Sequence, residues 1–75
     1  MERITRETNW LHVRYEGRSL DLALCDLDLG PMSTDEEVRA TAARILDVSE
    51  RKLAFYVIER HANGNLTLRP EAVFG

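Results

Sequence analysis

The residue types with the chemistry for catalysis or metal binding are few here: His12, His61, Cys25 and the aspartates Asp21, Asp26 and Asp28. The two histidines fall in separate strand-like stretches, with no carboxylate at metal-ligand spacing, and read as surface or edge side chains. A nucleophilic Cys25 would need a neighbouring base or a helix N-terminus to lower its thiol pKa. The sequence indicates neither, so a buried or half-buried thiol is expected. As the only cysteine it forms no disulfide or cysteine zinc site within the chain. The aspartates lack the glycine-spaced pattern of a calcium loop and read as a solvated acidic edge. Ser33 and Thr34 stand where helix caps stand. No GxGxxG, Walker or HExxH motif occurs. The expectation is a chain that is bound rather than one that catalyses: not an enzyme, with no metal and no cofactor.

The elements that would position any site follow from periodicity. Leu11, Val13 and Tyr15 alternate with His12 and Arg14, and Leu20, Leu22 and Leu24 alternate with Asp21, Ala23 and Cys25. This is the period of half-buried strands. Glu16-Gly17 between them supplies a turn, so an antiparallel hairpin is predicted. Leu27 and Leu29 either prolong the second strand or lie in a loop that tucks them under the core, and Gly30-Pro31 stops it.

Ser33-Thr34-Asp35-Glu36-Glu37 opens a helix, with Thr34 and Glu37, or Ser33 and Glu36, spaced as a capping box. Val38, Ala42, Ile45 and Leu46 make one apolar stripe, so the helix is predicted from Asp35 to about Leu46. One helical turn capped by Ser49 follows. A strand over Phe55 to His61, an Asn63-Gly64 turn and a strand from Leu66 that Pro70 stops complete the order. Residues 1–9 form a leader, 10–70 the domain and 71–75 a tail.

At 75 residues this is one domain, burying only about 60% of the surface its unfolded chain exposes. The hydrophobic fraction of 44% and charged fraction of 31% are globular values. No apolar run approaches the ~20 residues of a membrane span, and residues 1–9 carry no signal-peptide core, so the expected location is the cytoplasm. A net charge of −3 argues against nucleic acid as a partner.

The order β-β-α-β-β gives an α+β domain with one helix packed on a four-stranded mixed sheet. If the first and last strands pair centrally, they are parallel, and the arrangement is the β-grasp. A different hairpin order is the competing topology. The helix covers one face. The other is expected to carry Trp10, His12, Arg14, Tyr56, Ile58 and Arg60, if Phe55 and Val57 point inward; the reverse phase is the alternative. Aromatic, isoleucine and arginine side chains together have the composition of a protein-binding patch, with packing against the leader as the competing reading.

The β-β-α-β-β order over Trp10 to Arg69, the helix opening at Ser33-Thr34-Asp35-Glu36-Glu37 and the short tail ending at Gly75 resemble the ubiquitin-like family, in particular the small bacterial ubiquitin-like proteins of conjugation-type operons. The resemblance implies that the Gly75 carboxylate is adenylated by an E1-like enzyme. It then passes as an ester to an E2-like enzyme and ends on a target amine in an isopeptide bond. A JAB-type protease is a further implied partner. Ubiquitin ends in two glycines preceded by basic residues. Here Val73 and Phe74 precede Gly75, so the matching enzyme needs an apolar channel. Lys52, the only lysine beside nine arginines, is the one side-chain acceptor for self-conjugation; codon bias alone also explains that ratio. Two alternatives stand beside the modifier. One is a non-covalent binding module or accessory subunit using the exposed sheet face. The other is a β-grasp sulfur carrier with a terminal glycine thiocarboxylate.

Overall fold

A computed structural model describes residues 9–71; Val73, Phe74 and Gly75 lie outside the described residues. The elements are β1 (Trp10–Tyr15), β2 (Arg18–Ala23), a 3-10 turn at Leu24–Leu27, α1 (Asp35–Leu46), a second 3-10 turn at Glu50–Leu53, β3 (Tyr56–Arg60) and β4 (Leu66–Pro70). The four strands form one mixed sheet in the order β2-β1-β4-β3. Both hairpins are antiparallel, and β1 and β4 pair in parallel at the centre, with Leu11 opposite Leu66 and Val13 opposite Leu68.

The first hairpin turns on two residues with positive φ, Glu16 at 49° and Gly17 at 79°. That is the backbone of a type I′ turn, whose twist matches the strands it joins. Gly17 adopts it without steric cost; Glu16 does not. The second hairpin turns through Asn63-Gly64, with Gly64 at φ 95°.

The capping box at the start of α1 is complete. Thr34 Oγ1 accepts from the Glu37 N–H at 3.1 Å, and the Glu37 carboxylate accepts from the Thr34 N–H at 2.9 Å. Asp35, Glu36 and Glu37 place negative charge at the positive end of the helix dipole. Asp47, in the left-handed region, ends the helix, and the Val48 N–H donates back to the Ala43 carbonyl at 2.9 Å. Ser49 caps the second 3-10 turn, accepting from the Arg51 N–H at 3.2 Å.

One core lies between the helix and one sheet face. Leu11, Val13, Leu66 and Leu68 from the central strands meet Val38, Ala42 and Ala43 of α1, with Leu24 and Leu53 from the two 3-10 turns. Leu11, Leu53, Leu66, Leu68, Val13 and Val38 are essentially inaccessible to solvent. Each contributes about 2 kcal/mol relative to an exposed position.

Three local expectations are corrected. The helix buries Val38, Thr41, Ala42 and Ala43 and leaves Ile45 exposed; the Glu50–Leu53 turn packs beside α1, and its Leu53 joins Ala43 in the core. β2 ends at Ala23, and Leu24 enters the core from the 3-10 turn instead of from a strand. That turn tucks Leu27 and Leu29 against the core and puts Cys25 outside, so the thiol is exposed rather than buried.

Candidate partner-binding face

Strand register decides which side chains share the uncovered face, because residues directly opposite across a ladder point the same way. His12 is opposite Asp21 on β2 and Thr67 on β4, and Thr67 is opposite Glu59 on β3. The row Asp21-His12-Thr67-Glu59 therefore crosses all four strands on the side away from α1. Trp10, Arg14, Ser19, Val57 and Arg69 alternate in phase with it.

Of the six residues expected there, Trp10, His12 and Arg14 are on this face. Tyr56, Ile58 and Arg60 are not. Ile58 is opposite the buried Leu68 and Arg60 opposite the buried Leu66, so all three point to the helix side. Tyr56 and Ile58 pack against the core. The physical reason is that Phe55 lies outside β3 and is 79% exposed, so it does not set the strand's inward phase. Arg39 of α1 also holds the Tyr56 carbonyl, with Nη2 donating at 3.1 Å. The residues of β3 on the open face are Val57 and Glu59, a phase set by pairing with β4.

Several polar side chains near and on the open face pair with one another. His12 Nδ1 lies 2.7 Å from Asp21 Oδ1, and His61 Nε2 lies 2.8 Å from Thr67 Oγ1. Arg69 Nη2 donates to Glu59 Oε2 at 3.1 Å. That hydrogen bond, reinforced by the guanidinium charge, holds the Glu59 carboxyl below its ordinary value and raises Arg69. Trp10, 39% exposed, has its backbone N–H bonded to Asn65 Oδ1 at 2.9 Å. The face thus carries the hydrogen-bonded pairs His12–Asp21 and Glu59–Arg69, with Trp10 at one end and Val57 at the other. Such a surface suits recognition of another protein by its aromatic and paired polar groups.

On the opposite side, Tyr15 and Tyr56 approach at 5.7 Å between ring centroids. Burial, then the neighbouring Tyr15 and Glu16 charges, raise the Tyr56 hydroxyl above its ordinary value. Lys52 is exposed on the Glu50–Leu53 turn. Among the described residues, no three His, Cys, Asp or Glu side chains are grouped to hold a metal ion, and no helix is long and apolar enough to cross a membrane.

No protein-family model matches this sequence, and no curated protein or solved structure shows significant similarity to it.

Proposed function

We propose that the sheet and helix form a β-grasp and that the chain is a ubiquitin-like protein modifier acting in the cytoplasm. The observation that supports this reading is the strand order β2-β1-β4-β3, with the first and last strands parallel at the centre and a single helix on one face. In this arrangement the central strand β4 ends at Pro70. On this reading residues 71–75 are the segment that a partner enzyme takes hold of. On this reading an E1-like enzyme activates Gly75, Val73 and Phe74 fill its channel, and an E2-like enzyme delivers the chain to a target amine. The chain itself contributes recognition surfaces and a carboxylate, and the chemistry belongs to the enzymes. The test is to incubate the protein with ATP and an E1-like enzyme encoded beside it and measure intact mass. An adenylate or enzyme-linked ester at Gly75, lost on deletion of that residue, is expected. Absence of both products, with conjugates in the cell unaffected by the deletion, overturns the proposal.

The ordered open face favours a second reading, a non-covalent binding module or accessory subunit. It predicts that Trp10→Asp abolishes partner capture while deletion of Gly75 changes nothing. A thiocarboxylate at Gly75, seen by mass, would instead mark a sulfur carrier.

A further inference from the structure

The sheet has two edges, and they differ. On β3 the Glu71 N–H bonds to the Phe55 carbonyl and the His61 N–H to the Asn65 carbonyl, so the alternate residues Tyr56, Ile58 and Arg60 turn their backbone groups outward. Arg39 of α1 occupies that edge, its Nη2 donating to the Tyr56 carbonyl at 3.1 Å. On β2 the Leu24 N–H bonds to the Asn9 carbonyl at 2.9 Å. With Leu22 opposite Leu11 and Leu20 opposite Val13, the residues whose N–H and C=O point away from β1 are Ser19, Asp21 and Ala23. Among the described residues, no group hydrogen-bonds to them across that edge. β2 also contains no proline, lysine or bulge, the usual devices against edge pairing.

We propose that β2 pairs antiparallel with β2 of a second copy of this chain, joining two sheets into one. One two-fold register suits the side chains. It sets Leu20 opposite Leu20 of the copy, Ser19 opposite Asp21 and Arg18 opposite Leu22. On the helix side the two half-buried Leu20 side chains meet at the close spacing of a non-hydrogen-bonded pair, and the Arg18 stem lies along Leu22. On the open side charge is complementary. Asp21 gives Oδ1 to His12, which leaves Oδ2 for the Ser19 hydroxyl of the copy. Arg14, opposite Ser19 on β1 and in no ion pair among the described residues, extends over that small side chain toward the same carboxylate. Pairing Ser19 with Ala23 instead would set Asp21 directly against Asp21 of the copy, where like charges repel. Any extended strand has backbone groups for this edge; the reciprocal match of Ser19, Leu20 and Asp21 selects a second copy. The seam is short, so the dimer is weak and concentration-dependent. Gly75 has no part in it, so the inference stands or falls apart from the modifier reading.

The test is sedimentation equilibrium of the full chain up to about 1 mM, where weak association is populated, with 15N amide shifts followed over the same range. A dimer with a dissociation constant of about 0.1–1 mM is expected, with concentration-dependent shifts centred on residues 18–23. Ser19 is exposed, so changing its charge leaves the fold intact. Ser19→Asp sets a carboxylate against Asp21 of the copy, twice by symmetry, and should weaken the dimer about fivefold. Ser19→Arg sets a guanidinium there and should tighten it about fivefold. Lys52→Ala, on the turn before the other edge strand, should dimerise as the parent does, and so should the chain lacking Gly75. Three outcomes overturn the proposal: a chain that stays monomeric throughout, shifts centred away from β2, or a dimer that responds alike to Ser19→Asp and Ser19→Arg.

Discussion

Arg60 of β3 reaches the first turn of α1, where its Nη2 lies 2.6 Å from the Asp35 carboxylate. The same guanidinium donates to the Ser33 carbonyl at 2.7 Å and the Pro31 carbonyl at 2.9 Å. One side chain therefore fastens an edge strand to the segment that leads into the helix. The pair is partly solvated, so its charge attraction is modest. The two carbonyls add charge-assisted hydrogen bonds in a geometry that a planar fork satisfies and an ammonium does not.

Arg60→Ala is therefore expected to lower stability by about 1–2 kcal/mol, read as an earlier midpoint in urea. Arg60→Lys should recover little of the loss. Equal stability of all three proteins would show that these contacts contribute nothing net.

Leu68 is wholly buried on β4, opposite both Val13 and Ile58. Leu68→Ala should cost about 2–5 kcal/mol, a large part of the margin of so small a domain. Leu20→Ala, at a half-buried position on the β2 edge, should cost clearly less. Calorimetry compares them, and a reversed order would contradict the placement of the core.

At Gly64 the backbone φ is 95°, and an added Cβ would sit 2.8 Å from Asn9 Oδ1. Gly64→Ala should destabilise by about 1–3 kcal/mol, chiefly through the disfavoured φ. Adding Asn9→Ala should remove the collision but leave the backbone strain. Full recovery in the double variant would mean that contact, and not conformation, is the cause.

Glu59 has its carboxyl lowered by the hydrogen bond and charge of Arg69. A carboxyl lower in the folded than in the unfolded state stabilises the fold above the unfolded value, and that contribution fades as pH falls through the folded value. A 13C titration should place the Glu59 midpoint below the ordinary 4.5. Arg69→Ala should return it toward that value. An unchanged midpoint in the variant would rule out Arg69 as the cause.

The helix was legible from Asp35 to about Leu46, because its start and its polarity are written locally: Thr34 and Glu37 cap it and three carboxylates fill its first turn. The hairpins were legible for the same reason, since Glu16-Gly17 and Asn63-Gly64 are turn chemistry acting over four residues. The helix's buried side was less so. Alternate spacings of Ala42, Ala43 and Ile45 are equally helical, and only the tertiary packing around α1 decides that Ala43 is interior and Ile45 exposed.

The candidate face divides in the same way. Trp10, His12 and Arg14 follow from the strong alternation of Leu11 and Val13 on a strand paired on both sides. β3 has no such constraint in its own sequence, because Phe55, Tyr56, Val57 and Ile58 are all apolar and either phase is locally acceptable. Its phase comes from pairing with β4, which places Ile58 opposite Leu68, and from Arg39 and Arg60, which tie that strand to α1 and the segment before it. Arg14 and Arg69 are distant in sequence, and the parallel pairing of β1 with β4 brings them to one end of the sheet. Local order, element boundaries and the alternation of β1 thus belong to the sequence alone. Which strand faces meet, and which charges gather, depends on long-range pairing, whose energy no local window contains.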